Sequence, residues 1–296
     1  MPRDFPPCPG CLRAKSAPML RWFRFFSRWP LWSLHALGWL AGWGAWVLSP
    51  SYRRRFHDNA RQAGLGWRDR LGAVGQAGCM AAELPRLWLG RMPEVVWADG
   101  GLVAEAYAAG QGVLFLTPHL DCFEVTAQAL AARFSTRHGP LTVLYRPARK
   151  AALAEVMARS RDRAGLQAVP TTLAGVRQMI KALRSGQAVG LLPDQVPPEG
   201  MGVWADFFGQ PAYTMTLAAR LALQTGARVV PIWAERLPWG RGFRFHARAM
   251  QAPLASDLER AVQQINLEMQ ALILSCPRQY LWGYARYKAP RAASSA

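Results

Sequence analysis

Apolar residues recur along the chain in short blocks that alternate with segments of mixed polarity. Residues 112–117 (GVLFLT), 141–145 (LTVLY), 187–192 (QAVGLL) and 228–234 (RVVPIWA) are brief apolar runs, several of them bounded by Gly or Pro, and they read as buried strands. The spacing predicts helices over 121–134, 150–164, 172–184 and 213–225, and a longer one over 255–274. Residues 242–249 suit an antiparallel strand, and 193–212, rich in Pro and Gly, suits a loop. Upstream, 51–63 and 67–90 carry mixed helical patterns. Strands alternating with helices imply an α/β domain with a mixed, mainly parallel sheet flanked by helices. Active sites of such sheets gather at the carboxyl ends of the strands, here 118–124, 146–149 and 193–200.

The N-terminal region departs from this pattern. Residues 31–48 (LWSLHALGWLAGWGAWVL) hold no charge, and Arg21, Arg24 and Arg28 precede them while Arg53, Arg54 and Arg55 follow. Eighteen apolar residues just reach across a hydrocarbon core, and flanking Trp and Arg suit the interface. A spanning membrane helix is the first expectation. A helix lying in one leaflet, weakened by Gly38, Gly42 and Gly44, and a buried core helix are the alternatives. Residues 1–18 are Pro-rich and without periodicity, so a disordered tail is expected, with Met19 a candidate translation start. The organisation expected is thus tail 1–18, membrane anchor 19–50, catalytic domain 51–288 and a disordered tail 289–296.

Charge adds a partner class. The 36 basic residues include four Lys (15, 150, 181, 288), leaving 32 Arg, against 18 acids, for a net charge of +18. That surplus implies an anionic partner. Genomic bias toward Arg would explain the Arg:Lys ratio but not the scarcity of acids. The five Cys are scattered, which argues against a disulfide framework, and the lone Cys8-x-x-Cys11 lacks the second ligand pair a structural zinc site needs.

Chemistry is narrowed by what is missing. The sequence has no G-x-S-x-G elbow, no P-loop, no dinucleotide fingerprint, no D-x-D pair and no H-E-x-x-H. Of the five His, only His119 has an acid five residues on, Glu124. The spacing alone is weak, but His119 falls where the strand 112–117 ends and a helix begins. Imidazole can take a proton from a hydroxyl near neutral pH, and a carboxylate on the first turn of the next helix can hold its other N–H. A structural His capping the turn is the alternative.

Four blocks then resemble, in order, the lipid A biosynthesis (late) acyltransferases of the wider glycerolipid acyltransferase superfamily, which shares an H-x-x-x-x-[DE] motif. They are TPHLDCFE (117–124), VLYRPARK (143–150), GLLPDQVPPEGMGVWADFFGQPAYT (190–214) and RVVPIWAER (228–236), followed by RQYLWGYARYK (278–288). Asp121, Cys122 and Phe123 stand where the family usually has Gly-Asn-Trp, and WGYARYK replaces the usual W-x-H-R-R-F-K. The resemblance implies a glycerolipid acyltransferase-like fold. It also implies transfer of a fatty acyl group from acyl carrier protein, as a phosphopantetheine thioester, to a hydroxyl of a lipid A precursor at the cytoplasmic face of the bacterial inner membrane. His119 would be the base and Glu124 its orienter, with no covalent intermediate, no metal and no further cofactor. Arg146 becomes a candidate oxyanion donor or phosphate contact. Arg149, Asp194 and Gln195 become substrate-binding candidates, with a loop cap the alternative for Asp194, and Cys122 is read as packing. Expected partners are acyl carrier protein, the lipid A precursor and anionic membrane lipids, with no nucleic acid, for a monomer. Another glycolipid or amino-acid lipid as acceptor, or a non-catalytic basic membrane-binding protein, remain the competing readings.

Overall fold

A computed structural model describes residues 9–120, 122–145 and 163–292, with side chains from residue 18. Four helices lead: α1 Pro9–Phe26, α2 Leu31–Leu48, α3 Pro50–Gln62 and α4 Trp67–Leu89. The α/β domain follows in the order β1 Val95–Trp97, α5 Gly100–Ala108, β2 Val113–Leu116, α6 Phe123–His138, β3 Leu141–Tyr145, β4 Leu166–Pro170, α7 Leu173–Arg184 and β5 Ala188–Leu191. It continues with β6 Gly202–Phe207, β7 Gln210–Met215, α8 Leu217–Thr225, β8 Arg228–Arg236, β9 Phe243–Ala247 and α9 Leu258–Ser275.

Seven strands form one sheet in the order β1-β9-β8-β2-β5-β3-β4. All neighbours are parallel except β8 and β9, so the sheet is mixed and mainly parallel, as expected. Strands covered on both faces need not alternate apolar with polar. In β2, Val113 and Phe115 join the core beneath α5 and α6, while Leu114 and Leu116 join the core on the opposite face with α7, α8 and α9.

One expectation within the domain changes. The Pro- and Gly-rich segment expected as a loop folds residues 202–215 into the antiparallel hairpin β6–β7, turning at Phe208-Gly209, both at positive φ. The short elements β1, α5 and β4 had no sequence signal strong enough to mark them. The helix expected over 150–164 lies almost wholly outside the described residues.

The N-terminal expectation is corrected most. Among the described residues no helix is long and apolar enough to cross a membrane. Residues 19–50 fall in two helices broken before Pro30, and one face of α2 is packed against the domain: Leu31, Leu34, Gly38 and Gly42 are buried. A Cβ on Gly78 of α4 would lie 1.9 Å from the Gly38 carbonyl oxygen, and one on Gly42 would lie 2.6 Å from the Val74 carbonyl oxygen. Of the glycines read as weakening a membrane helix, Gly38 and Gly42 therefore form the close contact between α2 and α4, while Gly44 has open space around it. A buried ion pair ties the same helices to the sheet. Glu83 of α4, fully buried, accepts from Arg236 of β8 at 3.0 and 2.7 Å, and His35 of α2 lies 3.0 Å from the same carboxylate. Burial pushes the Glu83 carboxyl up, but Arg236 and His35 outweigh it and hold it down at about 2. Helix α1 begins at Pro9 rather than at the boundary expected near residue 18. In the expected C-terminal tail, the Arg291 carbonyl accepts from Glu199 N, and residues 293–296 lie outside the described residues.

Candidate active site

Two neighbouring strands end in the same way. Strand β2 runs into Leu116-Thr117-Pro118-His119, and β5 into Leu191-Leu192-Pro193-Asp194. The strands are parallel and in register, Leu116 opposite Leu191. The ladder continues for one bond, Thr117 N to Leu191 O, before a proline on each strand withholds its N–H. Three residues beyond each end, His119 and Asp194 meet. His119 Nδ1 is 2.7 Å from Asp194 Oδ1, and the His119 backbone N–H donates to Asp194 Oδ2 at 2.8 Å. The Phe123 ring packs edge-on against the imidazole at 5.0 Å.

The C-terminal segment completes the arrangement. Leu120 bridges to Tyr280, and Leu281 N donates to the His119 carbonyl. Tyr280 Oη donates to Asp194 Oδ2 at 3.2 Å. Arg286, buried behind, donates to Tyr213 O at 2.8 Å and to Thr214 Oγ1 at 2.7 Å, and stacks on Phe207. Burial raises the Asp194 carboxyl, but the charge and two hydrogen bonds of His119, with Arg286 further off, outweigh it and hold it below the usual range. Burial, then the Asp194 charge, pushes Tyr280 well above its ordinary value, so its phenol stays neutral and donates. An ionised Asp194 accepts from Nδ1–H, which leaves Nε2 as the ring nitrogen available for proton transfer.

Asp194 thus makes the hydrogen bond that the five-residue spacing assigned to Glu124. Glu124 sits on the first turn of α6 and lines a cavity of about 120 Å³ between that helix and the sheet. Phe115, Val143 and Ile232 form its sheet wall, and Phe123, Ala127 and Leu130 its helix wall, with Gly190 leaving space between Leu141 and Val143. Glu124 also bears on Arg163, where its charge opposes the lowering that burial imposes. Gln195 follows Asp194 at the same sheet edge, half-buried. Arg146, Arg149 and Asp121 lie outside the described residues, as does Cys8 of the Cys8-x-x-Cys11 pair. Cys122 is buried against Val125 and Phe243. Tyr280 and Arg286 were not singled out from sequence. Their signal was present in the C-terminal RQYLWGYARYK block, and the matching x-Pro-His and x-Pro-Asp strand ends were the signal for Asp194.

Comparison with known proteins identifies the family. A family model described as bacterial lipid A biosynthesis acyltransferase matches residues 92–289. The chain is 30% identical over 115 residues to the lipid A biosynthesis lauroyltransferase of Escherichia coli (strain K12), covering 38% of each chain. It is 22% identical over 180 residues to a lipid A biosynthesis acyltransferase of Haemophilus influenzae, covering 61% of this chain and 55% of the relative. A phosphatidylinositol mannoside acyltransferase of Mycobacterium tuberculosis is 29% identical over 149 residues, 48% of this chain and 45% of the relative. The chain therefore spans 38% to 55% of the length of these curated relatives. His119, Glu124, Asp194, Tyr280 and Arg286 all fall inside the family match.

Proposed function

The chain belongs to the bacterial lipid A biosynthesis acyltransferase family, and on that premise we propose that it transfers a fatty acyl chain from the phosphopantetheine thioester of acyl carrier protein to a hydroxyl of a lipid A precursor. The observation that carries this reading is His119, fixed by Asp194 and packed against Phe123, whose ring lines the cavity between α6 and the sheet. Nε2 of His119 takes the acceptor hydroxyl's proton as that oxygen attacks the thioester carbonyl. The tetrahedral intermediate collapses, the C–S bond breaks, and the imidazolium returns the proton to the departing thiolate. The products are an ester and the carrier's free thiol. Asp194 orients the ring and stabilises the imidazolium. The hydrocarbon chain lies between α6 and the sheet. Glu124, in the cavity lining next to Phe123, is the second carboxylate of the reaction, and Arg146 is the oxyanion donor on sequence grounds. The enzyme works at the inner face of the bacterial inner membrane, with exposed Trp22, Phe25, Trp32 and Leu40 of α1 and α2 lying in the interface rather than spanning it.

The test is a transfer assay with labelled acyl carrier protein thioesters and a lipid A precursor, comparing wild type with His119→Ala. Loss of at least about 10²-fold in kcat is expected; full activity in the variant would sink the mechanism. The similarity to a mannoside acyltransferase favours one other reading, a different glycolipid acceptor by the same chemistry. Product mass spectrometry over both acceptors decides it: acylation of the mannoside alone removes the lipid A reading.

A further inference from the structure

Helix α3 has two faces with different work. Asn59 donates to the carbonyls of Trp282 and Tyr284 at 2.7 and 2.8 Å, Gln62 donates to those of Phe207 and Phe208, and Phe56 is buried in the core. That face holds the C-terminal segment against the catalytic histidine. Arg54, His57 and Arg61, about one turn apart, lie on the other face. With Arg53, and with Trp67 and Arg70 from the first turn of α4, they line an open pocket of about 450 Å³.

Four arginines and one acid, Asp58, share this pocket. Among the described residues, none of the four has a carboxylate within ion-pair distance. Two buried atoms, His57 Nδ1 and Arg70 Nε, have no hydrogen-bond partner. The His57 ring is pushed down by burial and then by Arg70, Arg61 and Arg53, partly offset by Asp58, so the arginines' field converges there. Helix α4 begins at Gly66 with no side-chain cap, adding the favourable end of its dipole for an anion. The lining also holds apolar Trp67, 61% exposed, and Leu71, 41% exposed, and Arg53 donates to the Val47 carbonyl beside Leu48, which is 83% exposed at the end of α2.

We propose that this pocket binds the phosphate group of an anionic membrane phospholipid, whose acyl region meets the exposed apolar end of α2. Several guanidinium groups around one pocket match phosphate oxygens in pairs, and the unpaired buried Arg70 Nε–H in the wall favours an acceptor-rich ligand. Exposed Trp67 and Leu71 in the lining suit a lipid better than a soluble anion or an acidic protein. The pocket opens away from the face of α3 that carries the 280–287 segment, so its ligand is a lipid of the surrounding membrane rather than the molecule at His119. The proposal stands independently of the acyl-transfer reading.

The test is co-sedimentation of the full chain with phosphatidylcholine vesicles, with and without phosphatidylglycerol, at fixed ionic strength. An arginine at an anionic surface is worth about fivefold in partition. The exposed pair Arg54→Gln/Arg61→Gln should lose on the order of twentyfold on phosphatidylglycerol vesicles. The charge-matched pair Arg177→Gln/Arg184→Gln on α7, exposed but outside the pocket, should lose clearly less. In the wild type, the His57 ring resonances should shift with short-chain phosphatidylglycerol and not with short-chain phosphatidylcholine. Equal losses in the two pairs, no phosphatidylglycerol dependence, or an unmoved His57 would each overturn the proposal. Unchanged circular dichroism in both pairs separates these outcomes from misfolding.

Discussion

Asp194 decides how His119 works. A buried carboxylate with three donors, Nδ1 and the backbone N of His119 and the hydroxyl of Tyr280, stays ionised and fixes the tautomer. Asp194→Asn keeps the shape but not the charge, and kcat should fall by about 10²–10⁴-fold. Glu124→Gln is the informative partner measurement. If it costs more than Asp194→Asn, the orienting role returns to the residue that spacing first suggested. Tyr280→Phe removes one hydrogen bond to a charged group, about 1.5–3 kcal/mol, and should cost roughly ten- to a hundredfold in kcat/KM. Gly190 lies in the cavity wall, so Gly190→Val should shift acyl preference toward shorter chains, read by mass spectrometry of products from a mixed set of thioesters. His119 was legible from its place at a strand end. Its partner was not, because adjacency of β2 and β5, with 71 residues between Leu116 and Ala188, is not a local property of the chain.

At the scale of elements, the join between α2, α4 and β8 carries the N-terminal half. The glycine contact permits backbone approach too close for any side chain, so Gly78→Leu must push the helices apart. Overpacking of this kind costs about 1–3 kcal/mol or more, and the thermal midpoint should fall. Glu83→Gln removes the charge that balances buried Arg236, at a cost of about 3–5 kcal/mol by denaturant unfolding. A result near zero would mean that water or a neighbour compensates Arg236. Most helices and strands were visible from periodicity, β3 with its bounds unchanged. The hairpin β6–β7 was hidden because Pro197, Pro198, Gly200 and Gly202 signal loop locally, while pairing of residues 202–207 with 210–215 is what orders the segment.

For the whole molecule, two buried carboxylates set the acid limit. Glu83 is held at about 2 against an ordinary 4.5, and Asp194 is also held low. Groups depressed on folding stabilise the native state above their ordinary range and lose that contribution as pH falls through the folded value. Stability to denaturant should therefore decline steadily from about 4.5 toward 2, and Glu83→Gln should flatten much of that slope. The basic surplus of +18 is distributed unequally in role: Arg236 and Arg286 are buried and structural, while Arg54 and Arg61 face outward beside exposed Leu48 and Trp67.

By itself the sequence determined the α/β architecture, the strand-end position of His119 and the family signature, because these rest on local apolar periodicity and contiguous motifs. Only the tertiary structure decided which carboxylate stands behind the histidine and what the apolar N-terminal run does. The first depends on two parallel strands lying in register. The second depends on whether glycines in α2 find glycines in α4, which turns a stretch long enough to suggest a membrane span into a helix packed on one face and exposed on the other.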